Sequence, residues 1–532
     1  MAKFTVKIDN VLGGISPTQY YSASNQFESS IGIDPDMPAD DSSVRISGLI
    51  RPTALAKFSS TGVTNPPLWF LTNPKDANIY AYMADGKVTS YTSSLSSETA
   101  VGTPTSGAGN GAEYYDNYLY FATPTDISAY GPLSSSPAII NTRWTSGSYT
   151  GTSGGFGRTA LTNTTYPTIN GVVMPNHPMF YHASRNRLYF GDVVSGQGAL
   201  HYIATTKTTV EGDTNNGTTY NALNFNYGYY PTCISNFGTD LAVGLIQGTN
   251  TSVIQKNAVI SFWDTTSTSP TKIIDRELPD PLITAMRNVN GNLFAWTGNA
   301  QGGCRLLKFL GGYSFQEVGY WEECYPPLAG AVDHFLNRIV FGGNTTYPEA
   351  SACVYAVGSK SGLINATLPS LPIHNILKST ASTGGWVTAL KYVLQADNKI
   401  RQPIVGWKDT TPAYGIDKIS TTYGVNVWRS QMFRIGKPFQ VNKVRIPLTL
   451  PIGANHTITG KIYVDELQSG INLPNTINNT NYANSQQNIL QQIPNVKGLH
   501  NFLLELRWTG SAYIGVSLPV IIEGETLTDS GD

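Results

Sequence analysis

The side chains in this sequence that could do chemistry fall into four small groups, and each can be held against the geometry its chemistry needs. Gly151-Thr152-Ser153-Gly154-Gly155 satisfies the G-x-S-x-G spacing of a serine nucleophile. Such a serine works from a strained turn between a strand and a helix, which thrusts its hydroxyl out of the backbone. Here both flanks are Ser, Thr and Gly, so a loop is expected and a nucleophile is not. His177 and His182 flank Pro178-Met179-Phe180-Tyr181, with Asp192 further on. Zinc held by a helix wants histidines at i and i+4, and Pro178 argues against a helix, so these read as strand-end histidines. Asp34, Asp36, Asp40 and Asp41 form an acidic cluster, but the glycine and terminal glutamate of a calcium loop are missing. Solvated turn aspartates are expected there.

Paired carboxylates could hydrolyse a glycosidic bond, and Glu322-Glu323 and Asp275 with Glu277 are the candidates. Neighbours along a strand point to opposite faces, so Glu322 and Glu323 cannot flank one bond. The chain carries no P-loop and no dinucleotide fingerprint. Nothing in it requires an enzyme, a metal or a cofactor.

The elements that would position these groups share one repeated unit, a polar turn followed at once by a short apolar strand. Ser184-Arg185-Asn186-Arg187-Leu188-Tyr189-Phe190 is the clearest copy, and Asp116-Asn117-Tyr118-Leu119-Tyr120-Phe121 and Asn290-Gly291-Asn292-Leu293-Phe294 are others. A second β-type run tends to follow, such as Ala199-Leu200-His201-Tyr202-Ile203 or Cys353-Val354-Tyr355-Ala356-Val357. Counted at Ile79, Leu119, Leu188, Leu241, Leu293, Ile339 and a last run near Val387, the spacing averages roughly 52 residues, close to one four-stranded propeller blade. A single blade cannot bury both faces, so blades stack until a ring closes. The expected fold is all-β: a β-propeller of six or seven blades, seven favoured, over residues 61–424. A large β-sandwich is the competing arrangement. Leu68-Trp69-Phe70-Leu71 could close the ring against a final blade holding Gly385-Trp386-Val387. Polar inserts at 101–112, 145–170 and 205–222 are expected as loops on one rim.

Residues 1–60 fit no blade and have few places to build a private core, so an extended N-terminal arm is expected. After about residue 425 the strands lengthen and alternate with period two, as in Thr457-Ile458-Thr459-Gly460-Lys461-Ile462, which predicts a C-terminal antiparallel sandwich over 425–532. Between those strands, residues 485–494 read as one short capped helix at best.

Composition narrows the partners. Charged residues are 13% of 532 and the net charge is −1, so no basic stripe exists to grip nucleic acid. Thirty tyrosines and abundant Thr, Ser, Asn and Gly replace the missing charge. Such a surface suits a subunit packed among neighbours, and a sugar-binding surface equally. The start Met-Ala-Lys-Phe-Thr-Val-Lys-Ile lacks a signal peptide's apolar core, and no run of eighteen apolar residues could span a membrane. Four cysteines without a C-x-x-C are expected as reduced, buried thiols.

Gly13-Gly14-Ile15-Ser16, a polar Gln/Tyr stretch, then Gly48-Leu49 followed by Arg51-Pro52 and leading into β repeats, resembles the opening of tail nozzle proteins of short-tailed bacteriophages, also called tail tubular protein B. The match covers the first tenth of the chain, and the Leu49-Ile50 insertion before Arg51-Pro52 departs from the pattern. The resemblance implies a structural virion protein of the tail, made in the host cytoplasm. It implies a homo-oligomeric, six-fold ring around a DNA channel, touching other tail or neck proteins and passing DNA without reading it. Its work would be assembly and gating. Ile15, Tyr20, Tyr21 and Phe27, with Arg51 after them, are the expected assembly contacts, because aromatics in an extended segment make anchoring knobs. A receptor-binding adhesin gripping host glycans, or a propeller glycosidase, are the competing functions.

Overall fold

A computed structural model shows a β-propeller of seven blades joined to a β-sandwich. It describes residues 2–527 except 17–24, 36–49, 51–52, 54, 59–62, 75–76, 104–110, 124–125, 146–167, 170–171, 174–176, 195–196, 205–217, 249–255, 266–272, 346–350, 359–372, 382–383, 395–400, 411–412, 421–422, 466–468, 483–485 and 511–513.

Six of the seven repeat markers sit in the second strand of a blade. Ile79, Leu119, Leu188, Leu241, Leu293 and Ile339 belong to Ile79–Met83, Tyr118–Ala122, Arg187–Val194, Asp240–Gln247, Asn292–Asn299 and Arg338–Thr345. All six side chains are fully buried. A second strand has neighbours on both edges and a blade against each face, so its apolar residues run on without alternating. In blades two, four, five and six the polar turn before it reverses the chain in two residues. Both residues of Asp116-Asn117 take positive φ, 44° and 69°, the primed-turn geometry whose twist matches the flanking strands. The third strands are the second β-type runs, such as Gln197–Ala204 and Cys353–Val357. Val387 is the exception among the markers: it lies in a first strand, Trp386–Leu394, and the seventh blade's second strand is Arg401–Lys408.

The ring closes through the first strands. Pro67–Thr72 touches Gly111–Tyr115, and contact passes on through Met179–His182, Tyr229–Phe237, Leu282–Val289, Val332–Phe335 and Trp386–Leu394 back to Pro67–Thr72. Leu68-Trp69-Phe70-Leu71 therefore packs beside the last blade, but another segment hydrogen-bonds to it. Leu55–Lys57, from the N-terminal region, pairs antiparallel with Tyr414–Ile419 and completes blade seven. This clasp ties the start of the ring to its end and leaves no open blade.

The rest of the N-terminal region lies on its own chain. Lys3–Ile8 pairs with Val520–Thr526 at the edge of one sandwich sheet, whose other strands are Phe439–Pro447 and Asn488–Gly498. Ser29–Ile31 pairs with Tyr423–Arg429 in the second sheet, which continues through Asn501–Gly510 and His456–Val464. One core fills the space between the sheets, with Phe27, Trp428, Phe439, Phe502 and Trp508 among its members. Asn488–Gly498 overturns the helix expected over 485–494. Its side chains alternate, Ile489, Gln491 and Ile493 inward and Leu490, Gln492 and Pro494 outward. Pro494 is tolerated because this is an edge strand with no ladder partner beyond it.

Candidate functional site

The candidate groups separate once folded. Gly151-Thr152-Ser153-Gly154-Gly155 lies outside the described residues, as do Asp36, Asp40 and Asp41. Asp34 is buried, and its carboxylate takes Arg338 Nη1 at 3.1 and 3.0 Å across 304 positions of sequence. Asp34, expected as a solvated turn aspartate, is thus the buried partner of an arginine of blade six. Glu322 and Glu323 are exposed on a turn, and Asp275 and Glu277 are exposed on the outer strand of blade four, where Glu277 accepts Asn257 Nδ2 at 3.0 Å.

His177 and Asp192 do meet, while His182 stays apart and bonds Ser184 Oγ at 3.1 Å through Nδ1. Asp192 stands 3.5 Å from His177 Nδ1 and 3.4 Å from His201 Nε2, with all three side chains buried in blade three. Sequence reasoning missed His201. It lies opposite Phe190 on the neighbouring strand, so it shares a face with Asp192 two residues on, a placement that needs the register to be seen. The trio is sealed in the blade, and no metal-holding group of three or more His, Cys, Asp or Glu occurs among the described residues.

A built cavity exists on the propeller axis. First strands of all seven blades line a space of about 300 Å³, with Glu113, Ser235, Asn236, Asn288 and Met286 among its walls. Arg287 and Lys391 line this space and also a second cavity of about 530 Å³, at the end toward which the first strands run. The two cavities share these cations as a common wall. Arg287 Nη2 donates to Asp333 Oδ1 at 2.8 Å and to His334 Nδ1 at 3.1 Å. Arginine can only donate, so His334 carries its proton on Nε2 when it accepts that bond. Asp333 Oδ2 takes the Tyr392 amide at 2.7 Å. Burial alone would raise the Asp333 carboxyl, but Lys391 and Arg287 override it and hold the group well below the usual range. Glu113 goes the other way: burial pushes it up against the pull of the same two cations. No strand motif announced this cluster, because its members come one or two each from blades two, five, six and seven.

The expected assembly contacts are placed in part. Tyr20, Tyr21 and Arg51 lie outside the described residues. Phe27 is no exposed knob: it is 1% exposed, with ring centroids 6.0 Å from His374 and 6.2 Å from Trp428. It plugs the seam where the arm, blade six and the sandwich meet. Ile15 is half-buried in the same seam, paired in parallel with Phe27. Gly14 beside it has φ +79°, and a Cβ there would stand 2.5 Å from the Ile373 amide of blade six. Only glycine lets the arm lie this close. The four cysteines are free and buried, and burial pushes the Cys233 thiol up to about 12, which leaves it a poor nucleophile.

No protein-family model matches the sequence, and no curated protein matches it. Among solved structures the chain is similar to U3-55K, at 8% identity and a TM-score of 0.43 over 69% of this chain and 98% of that one. It is similar to the Neurospora crassa Pan2 WD40 domain at 8% identity and a TM-score of 0.40, over 69% and 94%. It is also similar to the extracellular domain of the putative hybrid two-component system BT4673 from B. thetaiotaomicron, at 12% identity and a TM-score of 0.40 over 78% of this chain and 44% of that one. These are likenesses in the course of the chain.

Proposed function

We propose that this chain is a structural subunit of a short-tailed bacteriophage tail, working by assembly and without covalent chemistry. Copies would stand around the tail axis as rigid wedges, six to a ring, each joined to its neighbours and to other tail proteins. The observation that carries the reading is the job done by three residues of the N-terminal resemblance. Gly13, Gly14 and Ile15 form the joint that lays the arm into the seam of blade six and the sandwich. The sequence likeness to tail nozzle proteins thus falls on a feature of construction. The propeller's own axis is no DNA path, because the first strands of all seven blades close around a cavity of only about 300 Å³. The passage would lie between copies.

Electron microscopy of the purified chain over a range of concentrations tests this. Closed rings with a central opening are the expected result. A monomer at every concentration, with or without the other tail proteins, would overturn it.

A further inference from the structure

The charges around the mouth formed by blades one, five, six and seven are not matched one for one. Asp333 already receives Arg287 and the Tyr392 amide. Glu113 receives the Tyr114 amide at 2.9 Å. Among the described residues, the side chains of Lys391 and Arg401 reach no carboxylate within the 4.0 Å of a salt bridge and make no hydrogen bond. Both line the 530 Å³ cavity, Lys391 half-buried at its inner wall and Arg401 exposed at its lip. A half-buried ammonium has lost part of its water shell and gains from any anion that replaces it. Besides His334 and Tyr392, the remaining polar wall comes from Thr72, Asn73 and Ser93, hydroxyls and an amide that match an alcohol-rich ligand. The volume lies within the range of pockets that enclose a small molecule.

We infer that this mouth is a binding site for a small hydroxylated anion, a carboxylated or phosphorylated sugar. Its acidic group would sit between Lys391 and Arg401, and its hydroxyls would face Thr72, Asn73 and Ser93. The inference stands independently of the tail reading, since it uses none of the arm.

Calorimetric titration of the full chain at low salt with glucuronate, glucose 6-phosphate, inorganic phosphate and glucose is the test. Saturable binding of either sugar anion, with none of glucose, is the expected result. Arg401→Gln, a lip change that leaves the fold alone, and Lys391→Gln should each weaken it about tenfold, the factor expected of one charge-assisted contact. The melting temperature of each variant separates lost binding from lost fold. No saturable binding of either sugar anion overturns the inference, and so does binding that neither variant changes. Inorganic phosphate binding as tightly as glucose 6-phosphate removes the sugar from it.

Discussion

The propeller and the sandwich are both stacks of antiparallel strands, yet they are stitched in opposite ways. Each of the first six blades is built from one continuous stretch of chain, strand beside following strand except for Cys324–Tyr325 of blade six, which pairs with Arg338–Thr345. The sandwich is built from the two ends, with Lys3–Ile8 against Val520–Thr526 and Ser29–Ile31 against Tyr423–Arg429. Blade seven stands between the two habits, since its last strand is borrowed from residues 55–57. A local blade repays its loop closure at once, whereas the sandwich edges form only after hundreds of residues have been brought together. The N-terminal region is therefore the part of the chain that turns two modules into one body.

The sharpest way to break that comparison is at the seam. Asp34→Ala removes the carboxylate from a pair buried on both sides and should lose about 3–5 kcal/mol in a denaturant titration. Asp275→Ala, on an exposed face within one blade, should stay within about 0.5 kcal/mol. Equal effects from the two would mean that the long-range joint holds nothing. Next comes a pair of glycines. Gly14→Ala strains a left-handed residue and drives a Cβ into the Ile373 backbone, so about 2–4 kcal/mol is expected. Gly291, with φ +82° and nothing within 4 Å, should lose only the strain, about 1 kcal/mol, on the same change. If Gly291→Ala proves the worse of the two, local turns matter more than the seam.

The same contrast explains what could be read in the sequence. Second and third strands were legible because burial on both faces forces a run of Ile, Leu, Tyr and Phe between polar turns. Outer strands were not. Glu98–Gly102 and Ile274–Glu277 meet water on one side and hold few apolar residues. The three-residue clasp Leu55–Lys57 has too little length for any pattern. Gln491 misled differently: it is 1% exposed in a slot that Ile489 and Ile493 flank in register. Its amide exchanges bonds with the backbone of Asn475 at 3.2 and 2.7 Å. A buried, satisfied glutamine looks polar in the sequence and apolar in the fold. The axial cluster of Arg287, Asp333, Lys391 and Glu113 was invisible for a geometric reason, since its four members come from first strands of four separate blades.

Acidification should separate buried carboxylates by their partners, with smaller effects than the mutations. In the sandwich, burial alone would raise Glu505, but hydrogen bonds from Arg507 and Arg429 override it and hold the group below its ordinary value of 4.5. Its stabilisation is complete above pH 4.5 and is lost as the pH falls through the depressed folded value. In blade seven, burial raises Asp417 above 3.8, because hydrogen bonds from the neutral donors Thr380 and Trp407 and the pull of Lys57 do not offset the loss of water. Its ionisation is therefore a penalty, complete above the raised folded value and gone below pH 3.8. Lowering the pH from 7 to 3.5 should loosen Asn501–Gly510 and firm Tyr414–Ile419, read as amide exchange corrected for intrinsic rate. Glu505→Gln should flatten the first response and Asp417→Asn the second. Asp333 tests the cause, since it belongs to the propeller yet is held down by Arg287 and Lys391. If Val332–Phe335 loosens with the sandwich, the response follows cationic against neutral partners. If it firms with blade seven, module membership decides and the electrostatic account is wrong.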